Sequence, residues 1–289
     1  MNLENVIAER KTKTIYRDGD SVVKLFNQNY SKADILNEAL NQARVEEVGL
    51  NIPKILEVTS HEGMWAIRSE FIEGQTLSHL MRDDPENKDR YLEMLVDTQM
   101  LIHSRRCPLL SRLKDKMNRK ILSADLEPVT RYELLIRLEG LPTHDKLCHG
   151  DLCPSNIILT PEGELYIIDW AHATQGNASA DVARTYLTFH LRGEADIAEK
   201  YLDLFCEKSG TDQRYVQRWM PIVRPPSPSK AIATSGTSCS AGPMWPSTNK
   251  HTILQHKSTE GDFPLCFFRR SGNAACQINF RIFMKCVKN

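Results

Sequence analysis

Leu147-Cys148-His149-Gly150-Asp151-Leu152-Cys153-Pro154-Ser155-Asn156, followed by Leu165-Tyr166-Ile167-Ile168-Asp169-Trp170, is the stretch that decides the fold. Two carboxylates and a carboxamide fall on short polar breaks between apolar runs. Ile157-Ile158-Leu159-Thr160 reads as a strand, Pro161-Glu162-Gly163-Glu164 as a turn, and Leu165-Tyr166-Ile167-Ile168 as the return strand that delivers Asp169. Such a hairpin brings Asn156 and Asp169 together at its open end, an oxygen-rich pair suited to magnesium. The interval from Asp151 to Asn156 lets one loop place a proton acceptor and a metal-facing carboxamide on the same side, and Pro154 stiffens the turn between them. A buried His-Gly-Asp alone is as readily structural; it is the three polar groups at these spacings that point to chemistry.

The chain around this stretch is that of a globular protein. It has 289 residues, 41% apolar and 26% charged, with 37 basic and 37 acidic side chains. This overall balance gives no sign of a nucleic-acid or membrane partner. The charge is unevenly spread, because residues 224–289 hold nine of the basic side chains and only two acidic ones, Glu260 and Asp262. No apolar run approaches the roughly 20 residues that span a bilayer, and the start Met1-Asn2-Leu3-Glu4 lacks a basic-then-apolar signal, so a cytoplasmic location is expected. Eight cysteines form no paired C-x-x-C set and read as isolated cytosolic thiols rather than zinc ligands.

Residues 1–72 read as an antiparallel sheet with one helix. Strands are expected over residues 5–9, 14–17 and 21–26, with Asp18-Gly19-Asp20 as a hairpin turn. Lys24 falls inside an apolar strand, where it either snorkels to solvent or faces an acidic partner. Ser31 can cap a following helix in which Ile35, Leu36, Ala39, Leu40, Ala43 and Val48 fall near a helical period. Glu38 on that helix is the chosen partner for Lys24, while Glu46 and Glu47 at its end are expected in solvent. An edge strand after Pro53 and another strand over 64–72 complete the sheet. The turn Arg10-Lys11-Thr12-Lys13 has no glycine; its lysines either supply charge to the site or form a solvated tip.

Residues 73–223 read as mostly helical. Ile72-Glu73-Gly74-Gln75-Thr76-Leu77 turns from strand to helix with Thr76 as cap, and further helices are expected over 87–105, 110–122, 128–140, 194–208 and 212–220, the last before Pro221. His103 is expected to pack or cap. Asp181 is expected either to tie down the loop after Asp169 or to cap its helix. From Arg224-Pro225-Pro226-Ser227-Pro228 onward the periodicity stops. The irregular basic tail, 224–289, fits a shifted reading frame. Suitable codons for 229–245, read two bases later, encode QGNSDQRDLLLRWADV, a charged turn and an amphipathic helix.

His149-Gly150-Asp151-x-x-x-x-Asn156, Ile168-Asp169-Trp170 and Asp181-Val182-Ala183-Arg184 together resemble the aminoglycoside phosphotransferase and choline kinase group of protein-kinase-like enzymes, over residues 5 to 223. The resemblance implies an α+β, bilobal, protein-kinase-like fold with a small antiparallel-sheet lobe (1–72) and a larger, mostly helical lobe (73–223). It implies an ATP-dependent phosphotransferase acting on a hydroxyl of a small molecule. In that scheme Asp151 is the catalytic base and His149 beside it orients the loop. Asn156 and Asp169 bind Mg2+, Lys24 holds the ATP phosphates, Glu38 orients Lys24, and backbone groups near Gly74 hold the adenine edge. A non-catalytic nucleotide or metabolite binder is the alternative, motivated by the glycine-poor turn and the tail. A protein kinase proper is disfavoured because Trp170-Ala171, not Phe-Gly, follows Asp169, and no Ala-Pro-Glu occurs beyond it. No acidic cluster marks a cationic acceptor.

Overall fold

The second chain reversal builds the frame for Lys24. Strands β2 (Lys13–Asp18) and β3 (Ser21–Phe26) pair antiparallel from Lys13 opposite Phe26 to Asp18 opposite Ser21, and Gly19 between them takes φ +62°. With β1 (Asn5–Glu9), β4 (Ile55–His61) and β5 (Met64–Glu70) they form a five-stranded antiparallel sheet of order β1-β2-β3-β5-β4. The computed structural model describes residues 3–223, so the expectations for 224–289, the basic tail and its shifted frame, lie outside the described residues. Alternation along β3 splits its side chains between two faces. Val23 and Leu25 pack with Ala66 on one, while Phe26 packs on Ile35, Ala39 and Ile67 on the other. Lys24 shares the parity of Phe26 and so faces helix α1 (Lys32–Glu46).

The α1 helix starts at Ser31, whose hydroxyl accepts from the Asp34 N–H at 3.4 Å. Its buried line is Ile35, Glu38, Ala39, Asn41, Gln42 and Val45, and Leu36, Leu40 and Ala43 stand exposed, contrary to the sequence expectation. The reason is that the inner line carries polar side chains with partners of their own. Gln42 Nε2 donates to the Pro53 carbonyl at 2.7 Å and Asn41 Nδ2 to the Ala171 carbonyl at 3.2 Å. Glu46, expected in solvent, accepts from the Ile55 N–H at 2.8 Å and ties α1 to β4.

Beyond β5 the chain is mostly helical. It continues through β6 (Gln75–Thr76), α2 (Leu77–Asp83), α3 (Lys88–His103), α4 (Leu113–Ser123) and α5 (Pro128–Glu139). Short strands β7 (Lys146–Cys148), β8 (Ile157–Leu159), β9 (Leu165–Ile167) and β10 (Thr174–Gly176) follow, then α6 (Ala178–Leu191), α7 (Ala195–Ser209), α8 (Gln213–Gln217) and α9 (Met220–Val223). Gly74 is required where β6 pairs with β8: its φ is +153°, and a Cβ there would lie 2.4 Å from the Leu159 carbonyl oxygen. The helix expected over 212–220 is two short ones. Pro221 lies in the first turn of α9, where its missing N–H costs nothing, instead of ending a helix. Trp170, Phe189, Tyr201 and Trp219 are fully buried with Leu95, Ile102, Leu147 and Leu152, each contributing about 1.5–3 kcal/mol by leaving water. Among the described residues no helix is long and apolar enough to cross a membrane.

Candidate active site

Four charged side chains meet where α1, the first sheet and the end of β9 converge. Lys24 Nζ lies 2.9 Å from Glu38 Oε1 and 3.4 Å from Asp169 Oδ1. Lys13, from the start of β2, lies 3.4 Å from Glu38 Oε1 and 3.5 Å from Asp169 Oδ1. Burial works against the charged form of Lys24, but Asp169 and Glu38 outweigh it and raise its pKa above the usual lysine range. Burial likewise opposes the Asp169 carboxylate, and the ammonium groups of Lys24 and Lys13 override it, holding the carboxyl well below its ordinary value. Lys13 is therefore no solvated hairpin tip. Asp169 sits at φ 65°, ψ 61°, a left-handed conformation that aspartate tolerates better than most residues and that swings the chain out of β9.

The loop carrying Asp151 is held from below by α6. Asp181 Oδ1 accepts from the Gly150 N–H at 2.6 Å, and Asp181 Oδ2 accepts from the His149 N–H at 3.0 Å and contacts His103 Nε2 at 3.0 Å. Burial opposes the Asp181 carboxylate, and His103 with these N–H donors outweighs it and lowers its pKa. Asp181 thus fixes the Asp151 loop, not the loop after Asp169, and the helix cap is Asn177, which accepts from the Ser179 N–H at 3.0 Å. His103 packs edge-on against Phe205 and also engages Asp181 through Nε2, which the expectation of packing or capping did not include. Gly150 adopts φ +81°, and a Cβ there would lie 2.4 Å from the His172 carbonyl oxygen, so only glycine lets the two loops pass.

Both ring nitrogens of His149 are occupied. The Asp151 N–H donates to Nδ1 at 3.3 Å, and Nε2 lies 3.1 Å from the Ile168 carbonyl, so the neutral tautomer carries its proton on Nε2. Burial pushes its pKa down, in keeping with a neutral ring. The ring also packs on Trp170 at 4.6 Å. His149 bridges the Asp151 loop to β9 and has no nitrogen left for an external proton. Asn156 Nδ2 donates to the Asp151 carbonyl at 3.0 Å, and the Ile168 N–H donates to the Asn156 carbonyl at 3.0 Å, which sets Asn156 beside the base of Asp169. Asp151 Oδ1 lies 3.2 Å from Arg184 Nη2. Arg184, quoted in the sequence motif without a role, stands one helical turn beyond Asp181 and so on the same face.

A cleft of about 80 Å³ adjoins this loop, lined by Gly150, His172, Asp181, Arg184 and, from α4, Lys116 and Lys120. Lys116 Nζ donates to the His172 carbonyl at 2.8 Å. Burial and then Lys120 push Lys116 down to about 8, while burial and then Lys116 push His172 down to about 4. A larger cleft, about 360 Å³, is lined by residues of α2, α3 and α7 such as Met81, Leu92 and Lys200, and by no residue of the Asp151 loop. His103, Cys148 and Asp181 also bring ligand-type atoms within 4.8 Å of one another, but Asp181 is already engaged by two backbone N–H groups and His103.

Solved structures share this architecture at low identity. An aminoglycoside-3'-phosphotransferase of type VIII matches with TM-score 0.55 and 20% identity over 78% of this chain and 93% of that one. A thermostable mutant of aminoglycoside phosphotransferase APH(4)-Ia, in a ternary complex with AMP-PNP and hygromycin B, matches with TM-score 0.55 and 16% identity over 75% and 82%. Aminoglycoside phosphotransferase APH(3'')-Id from Streptomyces rimosus, in complex with ADP and streptomycin, matches with TM-score 0.51 and 20% identity over 73% and 90%. These likenesses show the bilobal protein-kinase-like fold. No curated protein sequence matches the chain. The model of the phosphotransferase enzyme family matches residues 8–217, which includes Lys24, Glu38, the whole Asp151 loop and Asp169. On that match the chain belongs to the phosphotransferase enzyme family.

Proposed function

We propose that this chain transfers the γ-phosphoryl group of ATP to a hydroxyl group of a small molecule. The observation that carries the reading is the run of contacts from Glu38 through Lys24 to Asp169, at 2.9 and 3.4 Å, beside a loop that presents Asp151. Phosphoryl transfer needs alignment and neutralisation of charge more than covalent catalysis, and these residues supply both. Lys24 holds phosphate oxygens and Glu38 fixes its position, with Lys13 adding a second ammonium where the preceding turn has no glycine. Asn156 and Asp169 fit a magnesium ion: the Asn156 amide nitrogen is committed to the Asp151 carbonyl, which makes the amide oxygen the atom that would serve as ligand, and Asp169 adds an ionised carboxylate. When bound, magnesium neutralises charge on the nucleotide phosphates.

Arg184 holds Asp151 Oδ1, leaving Oδ2 to take the proton of the acceptor hydroxyl. The acceptor oxygen bonds to the γ-phosphorus as the bond from phosphorus to the ADP oxygen breaks, and ADP leaves with that electron pair. The Michaelis parameters for ADP release from magnesium-ATP, measured over a panel of hydroxyl compounds, test the reading. Asp151→Asn should lower kcat about a hundredfold to ten-thousandfold, as loss of a general base does, with nucleotide affinity kept. Nucleotide binding without turnover on any acceptor would favour the non-catalytic binder. Absence of nucleotide binding would exclude phosphotransfer and leave only a metabolite binder.

A further inference from the structure

Three cations border the cleft beside Asp151: Lys116 and Lys120 from α4, and Arg184 from α6. The acids nearby are already engaged. Asp181, the one acid lining the cleft among the described residues, is bound by the His149 and Gly150 N–H groups and by His103. Asp151 faces Arg184 at 3.2 Å. Among the described residues neither Lys116 nor Lys120 has a carboxylate within 4.0 Å. Like charges four residues apart on a helix repel, and a half-buried ammonium is costly where Lys116, Lys120 and Arg184 have only Asp151 and Asp181 as counter-charges. The depressed pKa of Lys116 reflects both costs.

We infer that the phosphoryl acceptor of this chain is an anionic hydroxyl compound, whose carboxylate or phosphate seats between Lys116, Lys120 and Arg184 while its hydroxyl meets Asp151. This deepens the phosphotransfer reading and rests on it for the role of Asp151. The same field disfavours a polyamine sugar, because an acceptor ammonium would enter a cleft where Lys116, Lys120 and Arg184 outnumber the acids Asp151 and Asp181. The solved neighbours that hold hygromycin B or streptomycin therefore share the fold with this chain without defining its acceptor.

Matched probes separate charge from shape. Gluconate, glucitol and glucamine share a carbon chain and differ in the charge of one end; glycerol phosphate, glycerol and aminopropanediol form a second set. Binding of each to the full chain is measured by calorimetry with saturating AMP-PNP and without it. At least one acid should bind about tenfold or more tighter than its neutral and amino counterparts, a modest advantage for facing cations of this kind. The gluconate and glycerol phosphate arms distinguish a carboxylate from a phosphate. Lys120→Met, at an exposed position where folding is not at stake, and Lys116→Met should each erase most of that preference and leave AMP-PNP affinity within about twofold. No preference for the acids, or a preference for the amines, overturns the inference. So do lysine variants that weaken AMP-PNP and spare the acids, since the cations would then serve the nucleotide. An acid preference lost in the variants, with no phosphorylation of the bound acid by ATP, would support the anion site and count against the phosphotransfer reading.

Discussion

Asp181→Ala tests whether the Asp151 loop takes its shape from α6. The carboxylate accepts from Gly150 at 2.6 Å and from His149 at 3.0 Å, and meets His103 at 3.0 Å, with Asp181, His149 and His103 all buried. Hydrogen bonds to a charged group contribute about 1.5–3 kcal/mol each, and each buried N–H left unpaired costs about 1–3 kcal/mol. Such values do not add within one network, and loss of one partner from a buried charged group typically costs about 3–5 kcal/mol. At about 2–4 °C per kcal/mol for a body of this size, Tm should fall by roughly 6–20 °C. Asp181→Asn should lose about half as much, because the amide oxygen still accepts from Gly150 and its nitrogen can donate to His103 in the other tautomer.

Calorimetric unfolding gives the stability arm, and ADP-release kinetics give the functional one. Freed from α6, the loop should lose kcat in both variants while the KM for ATP, assigned to Lys24 and Asp169 in the proposed reading, should change less than about threefold. An Asp181→Ala protein that melts within about 2 °C of the parent would refute the reasoning, since less than about 1 kcal/mol would then rest on three buried contacts. A loss confined to the KM for ATP would place the effect on the nucleotide side instead.

Gly150→Ala should destabilise by about 1–2 kcal/mol for the left-handed backbone, and by about 1–3 kcal/mol more for the overlap with the His172 carbonyl; a urea midpoint unchanged from the parent contradicts this. Asp169 and Asp181 have folded pKa values below the unfolded carboxylate value of about 3.9, so the stability they confer is present above that pH and is lost as pH falls through the lower folded values. Urea midpoints measured from pH 6 down to pH 3 should drop, and less steeply in Asp181→Asn. Lys116 has the opposite sign: its folded value of about 8 lies below the unfolded value of about 10.4, so the charged amine costs stability and the cost is relieved as pH rises between the two. Lys116→Met should therefore be more stable than the parent at pH 7 and should lack the parent's gain between pH 8 and pH 10. An equal gain in both proteins would show that another group titrates.

What the sequence made legible was set by local backbone rules. The hairpin from Ile157 to Ile168, the turn at Gly19 and the caps Ser31 and Thr76 depend on neighbours within a few residues, and the structure has them where the pattern puts them. The approach of Lys24 to Glu38 was legible for a related reason, since strand parity and helix period each leave few side chains pointing at the other element. Reading α1 by apolar period alone went wrong at Leu36 and Leu40, because the side facing the rest of the body carries Glu38, Asn41 and Gln42, whose partners come from other segments. The direction of Asp181 was open for the same reason. Its position at the start of α6 suits a cap, and only the packing of α6 under β7 shows that it is committed to the Asp151 loop.

The cations beside Asp151 show where this kind of reading stops. On α4, Leu113, Met117 and Ile121 form the inward line, so Lys116 and Lys120 fall next to it and have the spacing of any solvated helix face. Nothing within α4 separates an ammonium in water from one facing a site. The difference arises because Arg184 arrives from α6 and the His172 carbonyl from the loop after β9, more than fifty residues away in the chain. Electrostatic meaning of this sort is a property of three segments together. Two fields result: in the first Lys24 and Lys13 are matched by Glu38 and Asp169, and in the second Lys116, Lys120 and Arg184 share Asp151 and Asp181. Local spacing encodes the first, matched field, and only the assembled fold creates the second. The phosphotransferase character of the chain can therefore be read from sequence, whereas the excess of cations beside Asp151 needs the structure.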